Sequence, residues 1–150
     1  MKFLASQELG RLAKWLRILG FDTVYFKDNN KSSLIITAMR ENRIVLTRNN
    51  IILKDKALKT IFVKSQKVKD QLKEVFSNLS IEPDEDLMFS RCTVCNSQLE
   101  SLDKEKAKPD VPEYVFQTQN EFYRCKVCSR IYWRGTHWGN VKEALKEICK

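Results

Sequence analysis

Two Cys-x-x-Cys pairs, Cys92/Cys95 and Cys125/Cys128, restrict this chain more than any other feature. Two thiolates two residues apart can face one tetrahedral ion, and a second such pair completes its coordination. Four sulfurs leave no vacant position, so the pattern points to a structural zinc and not to a catalytic one. Each pair lies in turn-like, partly basic sequence, Arg91-Cys92-Thr93-Val94-Cys95-Asn96 and Arg124-Cys125-Lys126-Val127-Cys128-Ser129. The spacing predicts a zinc ribbon over residues 91–150, where the ion compensates for a core too small to fold alone. Two disulfides, or four unrelated thiols, are the competing readings. The fifth cysteine, Cys149, leaves an odd thiol, and no secretory leader is recognisable. Both favour a reducing compartment, in which zinc thiolates persist and disulfides do not, and the expected location is cytoplasmic.

Ahead of the cysteines the pattern alternates between strand and helix. Strands are predicted at residues 2–5, 23–26, 43–47 and 60–63, each apolar, β-branched or aromatic. Helices are predicted at 7–19, 33–41, around Leu53 and Leu58, and at 67–79, with Gly20 placed to end the first. This order implies a parallel sheet covered on both sides by helices over residues 1–80. Functional groups in such sheets gather at the carboxyl ends of the strands, here near Ser6, Asp28 and Arg48. Residues 81–90, with Glu82-Pro83-Asp84-Glu85-Asp86, read as an acidic linker. The insert at 102–112, charged and holding two prolines, reads as an exposed loop between the knuckles. A short amphipathic helix is predicted over 139–149 from Val141, Ala144, Leu145 and Ile148.

The chain has 27 Lys+Arg against 19 Asp+Glu, a net charge of +8, which favours a polyanionic partner such as nucleic acid. No apolar stretch is long enough to span a bilayer, so no membrane partner is expected.

Four stretches in order carry a family resemblance: Gly10-Arg11-Leu12-Ala13-Lys14-Trp15-Leu16-Arg17, Gly20-Phe21-Asp22-Thr23, Arg43-Ile44-Val45-Leu46-Thr47-Arg48 and Tyr132-Trp133-Arg134-Gly135-Thr136-His137-Trp138. With both cysteine pairs they resemble the mut-seven C-terminal RNase family, a PIN-like nuclease domain joined to a zinc ribbon. The resemblance implies a PIN-like fold and a role on RNA, with structured or ribosomal RNA as the target suggested by analogy. It also implies carboxylates at the strand ends holding magnesium or manganese, which activates water for phosphodiester cleavage.

At those positions this sequence departs from the family pattern. Ser6 and Asn49 stand where acids are expected, and the loop after the second strand reads Asp28-Asn29-Asn30-Lys31. Neither hydroxyl nor amide supplies the negative charge that concentrates a divalent cation. Ser6, Asp28, Asn30 and Asn49 are therefore read as vestigial positions, and magnesium or manganese is expected only if Glu8, Asp28 and Asp55 rebuild a site. The expected activity is RNA binding on a degenerate nuclease centre. An active metal-dependent ribonuclease and a protein–protein adaptor are the alternatives. Arg11, Lys14, Arg17, Lys31 and Arg48, with Lys27 and Arg43, are the candidate phosphate contacts. In the ribbon, Trp133, Arg134 and Trp138 could stack on bases and pair with phosphates, and Tyr132 is assigned to the core. His137 is not expected to bind zinc, because four cysteines saturate the ion.

Overall fold

Phe3, Leu4 and Ala5 are consecutive and wholly buried, which requires a strand covered on both faces. The computed structural model describes residues 1–149, with the backbone alone at 136–138. In it this strand, β1 (Lys2–Ala5), lies inside a parallel sheet with β2 (Asp22–Tyr25), β3 (Ile44–Thr47) and β4 (Thr60–Phe62), ordered β2-β1-β3-β4. The connections are α1 (Gly10–Ile18), α2 (Lys31–Arg40) and α3 (Asn50–Leu53), and α4 (Val68–Leu79) follows the last strand. Successive strand residues point to opposite faces. Phe3, Ala5, Ile44 and Leu46 thus join Leu12, Leu16, Leu72 and Phe76 of α1 and α4 in one layer. Leu4 and Val45 join Leu34, Ala38 and Ile52 of α2 and α3 in the other. The chain is α/β, a four-stranded parallel sheet flanked by helices and followed by a four-cysteine cluster.

The cysteine segment is built on an antiparallel sheet of β5 (Leu99–Leu102), β6 (Phe122–Cys125) and β7 (Ile131–Tyr132). The insert read as an exposed loop is helical instead. It contains α5 (Lys104–Ala107) and a 3-10 turn and leads into α6 (Glu113–Thr118); Ala107 of α5 and Val115 of α6 pack on Phe122 in a small core. The last helix, α7 (Gly135–Ile148), begins earlier than its apolar pattern suggested. Its Val141, Leu145 and Ile148 belong to the first sheet's core, packed beside α4, where Lys69 and Glu147 form an ion pair at 2.7 Å. Residues 81–90 do not hang free either. Met88 is buried in that same core, and the Phe89 amide donates to the Ile18 carbonyl at 2.8 Å.

The first knuckle is fastened to the parallel sheet by polar groups. The Arg17 guanidinium donates through Nε to the Thr23 carbonyl (2.9 Å) and through Nη1 to the carbonyls of Thr93 (3.0 Å) and Val94 (3.1 Å). Asn96, in the left-handed region at φ 71, accepts from the Thr23 amide (2.9 Å) and donates to Asp22 Oδ1 (2.7 Å). Arg43 reaches the same Asp22 oxygen at 2.7 Å and also bonds Glu41 and the Phe3 carbonyl. Burial alone would raise the Asp22 carboxyl. Hydrogen bonds from Arg43 and Asn96, with the charges of Arg43 and Arg91, outweigh it and hold the group below its ordinary 3.8.

Gly20 is required twice over. Its φ of +92 follows the end of α1, and a Cβ there would lie 2.3 Å from the Leu87 carbonyl oxygen. Gly20→Ala should cost about 2–4 kcal/mol in a denaturant titration, combining left-handed strain with the backbone clash. The Asp22 pair contributes in full above pH 3.8 and is lost as pH falls through the lower folded value. Asp22→Asn is thus expected to lose about 1–3 kcal/mol at neutral pH and to flatten the acid limb of a stability–pH profile.

Candidate functional site

The four paired cysteines come together. Their ligand atoms all lie within 4.8 Å of one another, with Cys92 Sγ 3.5 Å from Cys128 Sγ and Cys95 Sγ 3.3 Å from Cys125 Sγ. An ion at zinc–sulfur distance needs its sulfurs about 3.8 Å apart, so the donor set fits a structural zinc. The two knuckles share one backbone plan. Asn96 and Ser129 both take positive φ, and their amides donate to the carbonyls of Cys92 and Cys125 at 2.9 Å. The Tyr132 hydroxyl lies 3.0 Å from Cys92 Sγ, which places this ring against the cluster. The hydrogen bond with Ser97 pulls the Cys95 thiol down to about 6, whereas burial pushes the Cys125 thiol up to about 11. A bound cation favours the thiolate at all four.

The second candidate region lies at the carboxyl ends of β1 and β3. Ser6, Asp28, Asn30 and Asn49 line one depression of about 80 Å³ together with Glu8 and Lys31. Glu8, three residues beyond β1, turns its carboxylate into the strand ends. Its Oε1 accepts from the Ser6 hydroxyl (2.6 Å), the Arg48 amide (2.8 Å) and the Thr47 hydroxyl (3.3 Å). Burial would raise this carboxyl, but those three donors outweigh it and hold it below its ordinary 4.5. Asn30 and Asn49 are occupied elsewhere. Asn30 Oδ1 caps α2 through the Ser33 amide (3.1 Å), and Asn49 Oδ1 caps α3 through the Ile51 amide (2.9 Å). Asp28 Oδ1 accepts from the Asn30 amide at 2.9 Å. Asp55 is used by its own turn, where it accepts from Ala57. Among the described residues the cysteines form the only group of three or more metal-ligating side chains.

The proposed cationic set divides. Arg11, Lys14, Lys27 and Lys31 are exposed, and Arg48 is half-exposed with one contact to the Lys64 carbonyl. Arg17 is buried and spent on three carbonyls, so it leaves the phosphate-contact set. Arg43 is buried at the amino end of β3, the wrong end for the depression. Trp133 is half-buried with its ring 6.4 Å from Phe122, and Arg134 lies over the Tyr123 ring. The side chains of His137 and Trp138 lie outside the described residues. Sequence reasoning missed Thr47 as a hydroxyl partner of Glu8 and Asn96 as the link between knuckle and sheet. The asparagine after Cys95 was a signal for the latter, because asparagine tolerates positive φ. Among the described residues no helix is long and apolar enough to cross a membrane.

One zinc per chain is expected by elemental analysis of purified protein, and Cys92→Ser with Cys125→Ser should abolish it. Chelation should lower the thermal midpoint by several degrees and expose Tyr132 and Trp133, read as a red shift in tryptophan emission.

Searches of curated proteins and of solved structures each gave no match. A family comparison did, with the Mut7-C RNAse domain matching residues 1–145 and so spanning the parallel sheet, both knuckles and most of α7. Residues from both sheets fall within that single match, and the chain belongs to the Mut7-C RNAse domain family.

Proposed function

We propose that this chain binds RNA on a PIN-like scaffold whose nuclease centre is degenerate, with a structured RNA such as ribosomal RNA as the target class. The observation that carries the reading is the state of the acids at the strand ends. A magnesium or manganese ion needs several anionic oxygens converging on one point. Glu8 offers one carboxylate, already accepting three hydrogen bonds, and Asp28 is the other acid lining the depression. The amides that stand in for further acids aim their oxygens at helix N-termini. A phosphate approaching here meets Lys31 and the nearby Arg48 against two carboxylates, Glu8 and Asp28, fewer acids than converge on a metal-dependent centre. The net charge of +8 acts in the same direction.

One observation favours the active-nuclease reading. The bonds from Ser6, Thr47 and the Arg48 amide all fall on Glu8 Oε1, which favours Oε2 as the oxygen that would face an ion. Zinc-loaded protein incubated with end-labelled structured RNA in magnesium, manganese or chelator separates the two. The expected result is a mobility shift that weakens steeply with salt and leaves the RNA intact under all three conditions. Manganese-dependent products, lost in Glu8→Gln and Asp28→Asn, would overturn the degenerate centre. Neither shift nor products would turn the search to protein partners.

A further inference from the structure

A recess of mainly apolar lining lies away from the strand ends. It is an open trough of about 800 Å³ between α1 and α7, walled by Trp15, Phe89 and Val141 and closed at one end by Tyr132 and Trp133 of the ribbon. Beyond Trp133 a second hollow of about 640 Å³ continues along the ribbon past β7. Lys14, Thr93, Tyr132 and Trp133 belong to both hollows, so the two form one path with Trp133 at the junction.

The charges along this path are unequal. Arg11 and Lys14 line the first part, and Arg124 and Arg130 the second; all four are exposed. None of the four takes part in an ion pair among the described residues. Acids are present as well, but Glu147 is paired with Lys69 at 2.7 Å and Glu143 with Lys146 at 3.0 Å, leaving Asp110 at the far end. The indole at the junction is held from behind. A Cβ on Gly135 would come within 3.2 Å of Trp133 Cδ1, and the Phe122 ring stands 6.4 Å away. An aromatic ring fixed on one side, half-exposed, and flanked by unpaired cations at both ends is the arrangement that stacks an unpaired base while tracking a phosphate backbone.

We infer that the trough between α1 and the zinc ribbon, with Trp133 at its centre, is the binding path for a single-stranded segment of RNA. The inference rests on the RNA-binding reading above and moves the principal contact from the strand ends to the seam between the two sheets. A duplex has no free base face to offer Trp133, so the path should discriminate against it. It also makes the seam functional, because the Arg17 and Asn96 contacts that fasten the first knuckle fix the width of the trough.

The test uses the full zinc-loaded chain and fluorescence anisotropy with an oligouridylate of about 12 nucleotides, a length ordinary single-strand sites accommodate. An RNA duplex of equal length is the comparison. Wild type should bind the single strand more tightly. The double variant Lys14→Glu/Arg130→Glu should weaken it at least about 10-fold and reduce the slope of log affinity against log salt by about two. Trp133→Leu, which keeps an apolar side chain against Phe122, should weaken it about 5- to 150-fold with little change in that slope. The control Lys56→Glu/Lys59→Glu carries the same charge change near the start of β4 and should have a much smaller effect. Zinc content and circular dichroism verify that every variant is folded. Equal losses in the two double variants would mean that net charge alone matters and would overturn the inference. Wild-type binding that survives both trough variants would overturn it too, yet leave the RNA-binding reading standing. Absence of any RNA binding by wild type would remove both.

Discussion

A buried guanidinium ties the first knuckle to the parallel sheet. Arg17 leaves α1 with its charge facing inward, and the three carbonyls it bonds belong to β2 and to the turn of the first knuckle. Burying such a group is costly unless its donors are used, and here they are used on acceptors that would otherwise point into the seam unpaired. Asn96, Asp22 and Arg43 extend the same chain of contacts to the amino ends of β1 and β3. The knuckle is thus held at a fixed angle to the sheet by polar groups of defined direction, which apolar packing would not supply. The position of Tyr132 against Cys92, and of Trp133 beside it, follows from that angle.

At the strand ends, polar side chains are tied to one another and to backbone amides. The carboxylate of Glu8 lies across the ends of β1 and β3, tied to the Ser6 and Thr47 hydroxyls and to the amide that follows β3. Asn30 and Asn49 retain the size of an acid but work as helix caps, a role in which asparagine is among the best residues. At both positions the side-chain oxygen is spent on a backbone amide at the start of a helix.

Much of the fold was legible because it depends on periodicities of two and 3.6 residues and on cysteine spacing. The four parallel strands, α1, α2, α4 and the cysteine cluster follow from those patterns. What escaped was set by partners distant in sequence. Arg17 looked like the third member of an exposed series with Arg11 and Lys14, yet two steps of three residues turn a helix position by about 120°. That rotation carries it off the exposed face and onto the side where β2 and the knuckle lie. The insert at 102–112 looked like a loop because charges and prolines dominate it, while the small residue that buries it, Ala107, gives little apolar signal. Asn30 and Asn49 carried a capping signal in full view, but comparison with an acidic pattern drew attention to what they lack.

The return of α7 to the first sheet has a consequence for synthesis. Val141, Leu145 and Ile148 are made well after the residues of the sheet, α1 and α4 whose apolar surface they cover. A nascent chain that has completed its parallel sheet still exposes that surface on one face until the whole ribbon has left the ribosome. A ribbon that folds around a zinc would have to acquire it, and be turned back, before the earlier half is fully shielded. Shortage of the ion would therefore be felt at the opposite end of the sequence, as aggregation of a sheet that contains no cysteine at all.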